Sequence, residues 1–253
     1  MYGTEKKVSK DTWISIIIAT FNAERCIREC LDSISNQQVE NIEIIVIDGG
    51  STDNTVQLLK QFKNVKLSWI SESDKGIYDA LNKGVAMAKG RWLYFLGSDD
   101  RLLPGFTDMM NNLEDEDAIY YGDTETYYTG DKPSFEVLHG EFSTYRLAKY
   151  CINHQAVIYP AKLFSKYHYN LRYKVFADYA LNIQAWGDPS FKKIYHPVNI
   201  AVYHMSGFSS TEKDEIFKED KPTLIRRYMG WGMYLRFLYK RYKKKLLGQK
   251  GFE

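Results

Sequence analysis

The sequence has few cysteines and no long apolar run, and each absence excludes a class of protein. Three cysteines in 253 residues fit neither a disulfide framework nor the spacing of a zinc site, so we expect reduced thiols. No apolar segment approaches the roughly 20 residues that cross a bilayer, and residues 1–11 carry no apolar signal-peptide core. These features predict a cytoplasmic protein that is either soluble or peripheral on a membrane.

The common phosphate-binding motifs of α/β proteins are also missing. Neither Gly-x-Gly-x-x-Gly nor the Walker lysine motif follows the first predicted strand, so dinucleotide and P-loop chemistry are not indicated. The net charge is only +2 and no recognised nucleic-acid-binding module is visible, so we expect no nucleic-acid partner. Aromatic residues, in contrast, are abundant at 15%, and aromatic side chains often line sugar sites and interfaces.

Four short apolar runs in the first hundred residues predict strands that are buried on both faces of a sheet. They cover residues 13–20, 42–47, 65–70 and 92–96. Apolar residues at helical spacing lie between the runs and predict three intervening helices. Strands that alternate with helices specify an α/β fold, here a doubly wound and mostly parallel sheet flanked by helices.

Polar residues follow three of these strands. They are Thr20, Asn22, Asp48, Asp99 and Asp100. Ligands of open α/β sheets bind just beyond the carboxyl ends of the strands, and two adjacent aspartates repel each other unless a cation neutralises them. Magnesium or manganese bridging to a diphosphate fits such a row of oxygen ligands. An ordinary polar turn after the fourth strand is the alternative.

Four segments together resemble the family 2 glycosyltransferases of the GT-A fold, in the order and at the spacing of that family. They are residues 16–22, 46–55, 74–84 and 95–100. The resemblance implies inverting transfer of a sugar from a nucleotide-sugar, usually a UDP-sugar, with Mn²⁺ or Mg²⁺. Two positions depart from the pattern: Gly49 and Gly97 stand where many relatives carry an aspartate.

The same resemblance implies a set of donor-binding residues: Thr20, Asn22, Asp48, Asp74, Lys75 and Asp99. Asp48 would contact the nucleobase, while Asp99 and Asp100 would contact the ribose and the metal. His204 is a further candidate for the metal or a phosphate, and a structural histidine is its alternative role.

The second half of the chain supplies a candidate base and an acceptor side. Inverting transfer needs a base that removes the proton from the acceptor hydroxyl. Relatives place an acidic pair at the start of a helix here, and this chain keeps only Asp178. A helix cap is the alternative role for that residue. Asn153, His154 and Gln155 lie in a predicted strand over residues 151–159, where they would form a wall of the acceptor site or a satisfied hydrogen-bond cluster.

The residues from 222 to 250 interleave aromatic and basic side chains. Such an amphipathic basic helix suits the interface of an anionic membrane, where each basic residue adds about 1 kcal/mol. A helix packed on the domain with a solvated basic end is the alternative. We therefore expect a GT-A domain at 1–220, with a nucleotide-binding half at 12–100 and an acceptor half at 101–220. A separate tail at 221–253 would hold the protein on the inner face of the cell membrane.

These features favour a transferase that moves a UDP-hexose or UDP-N-acetylhexosamine sugar onto a glycan acceptor, lipid-linked, in surface-polysaccharide synthesis. A sugar-nucleotide pyrophosphorylase is a second hypothesis, but residues 20–24 lack the glycine-rich basic loop which that chemistry needs. A non-catalytic module that binds nucleotide-sugar or membrane is a third. This third hypothesis stays open because Ala177 replaces the second acidic residue of the pair and Gly97 replaces an aspartate.

Overall fold

The computed structural model describes residues 13–37, 39–63, 66–128, 134–138, 140–204 and 213–247. The last residues of the predicted tail, 248–253, lie outside the described part. The strands are β1 (Ile14–Thr20), β2 (Ile42–Asp48), β3 (Lys66–Ser71), β4 (Trp92–Gly97), β5 (Arg101–Leu102), β6 (Ala118–Tyr128), β7 (Ser134–Leu138), β8 (Val157–Pro160) and β9 (Lys192–His204). The helices are α1 (Ile27–Ser35), α2 (Thr55–Gln61), α3 (Ile77–Met87), α4 (Gly105–Met110), α5 (Thr144–Lys149), α6 (Ala177–Gly187) and α7 (Glu215–Leu246).

The four predicted strands of the first half form the parallel part of one sheet, in the order β3-β2-β1-β4. The residues of β1, β2 and β4 are almost all buried, as expected of central parallel strands. The expectation of burial on both faces is wrong for β3, whose residues are exposed or half-buried at the edge of the sheet. Helix α3 packs directly on β1, since a Cβ at Gly84 would lie 2.4 Å from Ile17 Cγ2. The register pairs Thr20 with Asp48, so the polar ends of neighbouring strands lie side by side.

The second half continues the sheet with mixed strand directions, in the order β8-β6-β9-β5, and β7 pairs with β6. Strand β8 is antiparallel to β4, and β9 is parallel to β6. The sequence predicts a strand over 118–121 and a tyrosine-rich hairpin or loop over 122–133. The strand is longer than predicted, because pairing with β9 extends β6 to Tyr128. The second half of β6 forms an antiparallel hairpin with β7. A register irregularity at Asp123 interrupts that ladder.

The predicted strand over 151–159 is also wrong in its first half. Residues His154–Ala156 form a turn of 3-10 helix, and the strand begins only at Val157. The turn forms because the Asn153 side chain accepts a hydrogen bond from the Gln155 backbone N–H at 3.0 Å. Local capping of this kind competes with strand pairing.

The expected boundary between residues 220 and 221 falls inside α7 and does not separate two units. Ile225 and Phe237 are buried in the same apolar core as the sheet. Helix α6 touches α7 so closely that a Cβ at Gly187 would overlap the Tyr228 carbonyl oxygen. The helix bends at Gly230, whose φ of 84° is left-handed. None of the described helices is both long and apolar enough to cross a lipid bilayer.

Candidate active site

The loop after β1 is joined to the loop after β2 by a set of hydrogen bonds. Asn22, in the left-handed region with φ 51°, accepts a hydrogen bond from the Thr52 N–H at 2.9 Å. Its own N–H donates to Ser51 Oγ at 2.7 Å, and the Ala23 N–H donates to Thr55 Oγ1 at 2.8 Å. Asparagine tolerates this backbone conformation better than most residues. Asn22 therefore holds the loop after β1 against the loop after β2, at the strand ends where the predicted site lies.

Asp48 is fully buried at the end of β2, and protein groups already bind both of its carboxylate oxygens. Oδ2 accepts hydrogen bonds from the Gly50 and Ser51 N–H groups at 3.2 and 2.9 Å and from Ser71 Oγ at 2.6 Å. Oδ1 accepts a hydrogen bond from Ser51 Oγ. These hydrogen bonds hold the turn at residues 48–51, and they use both carboxylate oxygens of the residue that was expected to contact the nucleobase.

The loop after β3 brings Asp74 over the same turn. Asp74 Oδ1 accepts a hydrogen bond from the Gly76 N–H at 2.8 Å. Its Oδ2 lies 2.7 Å from the position that a Cβ at Gly49 would occupy. Lys75, the other expected donor ligand in this loop, is exposed, and its N–H donates to Asp79 Oδ2 at 3.1 Å. Both residues lie in the loop that follows β3.

The adjacent aspartates after β4 have different environments. Asp100 is 1% exposed and accepts hydrogen bonds from Gln155 Nε2 at 2.5 Å, the His204 N–H at 2.9 Å and the Gly97 N–H at 3.2 Å. Burial, followed by the nearby Asp99 charge, raises the pKa of Asp100 to about 7. Asp99 is partly exposed. Asp99 is therefore the member of the pair that is available to a ligand.

Gly97 is the reason that Asp100 can turn inward. A Cβ at this position would lie 2.4 Å from Asp100 Oδ2, so any side chain here would displace the buried carboxylate. The glycine at position 97, where many relatives carry an aspartate, is thus coupled to the conformation of Asp100.

Asp99 lines an open cavity of about 680 Å³ at the strand ends. Other lining residues are Asn22, Cys26, Glu29, Arg101 and His204. A smaller cavity of about 370 Å³, lined in part by Trp13 and Met110, lies at the opposite end of β1, away from the predicted site. Ligands of such sheets bind at the carboxyl ends of the strands, so the larger cavity is the candidate site.

The side chains at this cavity fit a divalent metal held together with a diphosphate. Among the residues that the structure describes, none forms a hydrogen bond with the buried Nδ1 of His204, and burial, followed by Arg101, lowers the pKa of the imidazole. The neutral form that ligates metals is therefore favoured. Asp99 supplies a carboxylate on the same cavity. The described residues contain no cluster of three or more such ligands, so phosphate oxygens and water would complete the shell, as is usual for Mg²⁺.

Asp178 lies in the first turn of α6 and is partly buried. Its Oδ1 accepts hydrogen bonds from Tyr78 Oη at 3.0 Å and from the Tyr179 N–H at 2.8 Å. Burial raises the pKa of the carboxyl to about 6, although both hydrogen bonds lower it. The N-cap position belongs to Phe176, which makes no side-chain cap. Asp178 therefore does not occupy the N-cap position of α6.

The three residues expected on the acceptor side have more specific roles in the fold. His154 stacks on Phe95 with ring centroids 5.0 Å apart, and its Nε2 lies 2.8 Å from Tyr169 Oη. Burial lowers the pKa of His154 to about 3, so the ring is neutral. Gln155 binds Asp100, and Asn153 caps the turn.

Sequence reasoning assigned no role to Tyr78, and it placed Gln155 on the acceptor side and not beside Asp100. Tyr78 belongs to the 74–84 motif and reaches Asp178, 100 residues away. Gln155 orients Asp100 across 55 residues. Their polar side chains in otherwise apolar surroundings were the available signal, but the partners depend on tertiary structure.

Residues 15–178 match the family described as Glycosyl transferase family 2. The chain is 36% identical over 223 residues to a PGL/p-HBAD biosynthesis glycosyltransferase of Mycobacterium bovis, covering 84% of this chain and 85% of that protein. It is 32% identical over 99 residues to the putative glycosyltransferase EpsH of Bacillus subtilis, covering 38% of this chain and 29% of EpsH.

Two solved structures share the fold at low identity. Staphylococcus aureus TarS 1–349 in complex with UDP-GlcNAc superimposes with a TM-score of 0.71 at 17% identity, covering 92% of this chain and 73% of TarS 1–349. A mannosyltransferase from Pyrobaculum calidifontis, in complex with GDP-Man and Mn²⁺, superimposes with a TM-score of 0.60 at 13% identity, covering 91% and 75%. These likenesses confirm the expected GT-A architecture.

Proposed function

Because the chain belongs to glycosyl transferase family 2, we propose that it inverts the anomeric centre of a nucleotide-sugar while transferring the sugar to a glycan acceptor. The chain is a glycosyltransferase related to those of cell-surface glycan synthesis. The observation that carries the proposed mechanism is a partly buried carboxylate, Asp178, whose pKa of about 6 suits a base. The same domain has a polar cavity at the carboxyl ends of its strands.

The donor diphosphate would lie at the cavity beyond β1, β2 and β4. Asn22 and Asp99 line this cavity. No group in the described part of the chain forms a hydrogen bond with the Thr20 hydroxyl, which is buried at the end of β1. A buried polar atom without a partner is costly, and a bound nucleotide would satisfy it. TarS was crystallised with UDP-GlcNAc, which supports a UDP-sugar, either a UDP-hexose or a UDP-N-acetylhexosamine.

Asp99 and His204 would hold Mn²⁺ or Mg²⁺ against the diphosphate. When bound, the ion supplies positive charge that stabilises the departing phosphate oxygens. Asp100 would act indirectly, because it accepts a hydrogen bond from the His204 N–H and so helps to position that candidate ligand. A mannosyltransferase of the same fold was solved with GDP-Man and Mn²⁺, which supports the use of a divalent ion.

Asp178 would take the proton of the attacking acceptor hydroxyl. The acceptor oxygen forms a bond to the anomeric carbon from the face opposite the diphosphate, the bond from that carbon to the leaving oxygen breaks, and the electron pair stays on the diphosphate. The proton ends on Asp178. Tyr78 holds the carboxylate in its ionised form by donating to Oδ1.

A membrane surface is the proposed location of the acceptor. Beyond the bend at Gly230, one face of α7 exposes apolar side chains separated by four, four, three and four residues. They are Trp231, Leu235, Tyr239, Tyr242 and Leu246. Residues 231–246 contain six Lys or Arg and no Asp or Glu. An apolar stripe beside unbalanced positive charge fits the inner face of an anionic membrane, where a lipid-linked glycan would be reached.

A donor panel tests the activity. Full-length protein would be incubated with UDP-, GDP- and CDP-sugars, Mn²⁺ or Mg²⁺, and a mixture of lipid-linked glycans, and the released nucleotide would be identified. Nucleoside diphosphate and a product of inverted configuration are expected. Release of nucleoside triphosphate after pyrophosphate addition would indicate a pyrophosphorylase, and binding without turnover on any acceptor would indicate a non-catalytic module.

Vesicle flotation tests the membrane surface. Full-length protein should float with anionic vesicles and not with neutral ones, and less so at high salt because screening shortens the range of attraction. A Trp231→Ser, Leu235→Ser, Tyr239→Ser variant should lose flotation, whereas Ile216→Ser, an exposed apolar residue before the bend, should keep it. Wild-type protein that ignores anionic vesicles at low salt would refute the assignment.

A further inference from the structure

The carboxylates around the first three strand ends differ in whether a protein group already occupies them. Both Asp48 oxygens accept protein hydrogen bonds inside the core. Asp53 binds Thr55 and the Glu24 N–H. Glu72 pairs with Lys83 at 2.7 Å. Protein groups therefore already bind these three carboxylates.

Asp74 is placed differently. Its Oδ1 is fixed by the Gly76 N–H at 2.8 Å, which directs Oδ2 across the loop to the backbone of Gly49, 2.7 Å from a Cβ built there. The Phe21 ring carbon Cδ2 lies 3.5 Å from the same point, and Phe21 is 63% exposed. A carboxylate oxygen and the ring of an exposed aromatic residue therefore flank one glycine at the edge of the site.

We propose that Asp74, rather than Asp48, reads the nucleobase of the donor. The assignment rests on the proposed function. Asp74 Oδ2 accepts a hydrogen bond from a ring N–H of the base, which uracil (N3–H) and guanine (N1–H) offer and cytosine lacks. Gly49 is required because any side chain there would occupy the space that the carboxylate fills. Phe21 forms an aromatic wall of the slot, and bases stack on such faces.

The arrangement also accounts for the departure at Gly49. Where a second aspartate follows the first in a relative, its side chain would project into the volume that Asp74 occupies in this chain. One carboxylate is thus supplied from a different loop, after β3 instead of β2. Thr20 pairs with Asp48 in the register of β1 and β2. Its buried hydroxyl has no hydrogen-bond partner among the described residues, and it therefore lies in the adjacent part of the proposed site.

The test is nucleotide binding by calorimetry, with Mn²⁺ present, for UDP, GDP and CDP. Wild-type protein is expected to bind UDP or GDP at least tenfold more tightly than CDP. Asp74→Asn keeps an oxygen for the Gly76 N–H but replaces Oδ2 by an amide donor, so the preference over CDP should fall at least tenfold. Gly49→Ala, which pushes Oδ2 away, should weaken the same preference. Glu72→Gln, in the same loop, is the matched control and should keep it.

The outcomes separate the two hypotheses. If wild-type protein binds none of these nucleotides, the proposed function fails. If it binds UDP or GDP selectively and Asp74→Asn keeps the wild-type ratio, the assignment of Asp74 is overturned. Asp48→Asn is expected to lower the melting temperature because it unties the turn at 48–51. Loss of the base preference in that variant at an unchanged melting temperature would restore the nucleobase contact to Asp48 and refute Asp74.

Discussion

Replacement of Tyr78 by phenylalanine should move the pH dependence of turnover without removing activity. The Tyr78 hydroxyl donates to Asp178 Oδ1 at 3.0 Å and also to the Val175 carbonyl oxygen. Its hydrogen bond lowers the pKa of Asp178 against the larger effect of burial, which raises it. Without the hydroxyl, the ionised carboxylate loses a donor, so the pKa of Asp178 rises further.

The size of the shift follows from the shared hydrogen bond. A hydrogen bond to a charged group contributes about 1.5–3 kcal/mol, and the lower end applies because Val175 competes for the same proton. Since about 1.4 kcal/mol corresponds to one pKa unit, the pKa should rise from about 6 to roughly 7. At pH 6 the ionised fraction would fall from about one half to about one tenth, a loss of roughly fivefold, whereas at pH 8 both proteins would be mostly ionised.

The assay is a profile of kcat/KM against pH from 5 to 9, with the donor and acceptor that the panel identifies. In Tyr78→Phe, the acid limb of the profile should shift to a pH about one unit higher. Tyr159→Phe is the matched control, because it removes another buried hydroxyl, one that donates to Asn182 Oδ1 at 2.7 Å, and it should leave the limb in place. An unchanged limb in Tyr78→Phe, or an equal loss at every pH, would show that Asp178 is not the titrating base.

Three further predictions follow from the same contacts. Asp178→Asn should lower turnover about a hundredfold or more. It should also stabilise the fold by about 3 kcal/mol above pH 6 and not below pH 4, as judged by denaturant unfolding. The reason is that a folded-state pKa of about 6 against an ordinary 3.8 makes the wild type lose stability as pH rises through that window. Asp99→Ala should abolish the Mn²⁺ dependence of UDP binding measured by calorimetry, while unchanged metal-dependent binding would contradict the ligand role. Truncation after Glu219 should unfold the domain in thermal melting, because it removes buried Ile225 and Phe237, each worth about 1.5–3 kcal/mol; a cooperative melt at the wild-type temperature would contradict this.

The first half of the fold could be predicted because its signals are local. The four apolar runs became β1 to β4 within a residue or two at each end. For β1, β2 and β4 the reason is that a strand buried on both faces must be apolar throughout. Parallel strands of one sheet place their carboxyl ends on one edge, so the grouping of Thr20, Asp48 and Asp99 also followed from the order of the segments.

The errors fall where distant residues decide local structure. Strand β6 extends to Tyr128 because it pairs with β9, about 70 residues later in the chain. The turn at His154–Ala156 replaces a predicted strand because a capping side chain satisfies the backbone there. The predicted tail joins the core through Ile225, which lies next to basic residues in the sequence but faces the apolar core in the fold.

The fold class, the family and the row of polar residues at the strand ends could be predicted from the sequence, because they depend on hydrophobic periodicity and on the order of short motifs. The environment of each carboxylate could not, because it depends on contacts between distant parts of the chain. Asp99 and Asp100 are adjacent and chemically identical, yet Gln155 and the backbone of His204 turn Asp100 inward and leave Asp99 at the cavity. The reason is physical: the protonation and availability of a carboxylate depend on burial and on donors that reach it from other parts of the chain.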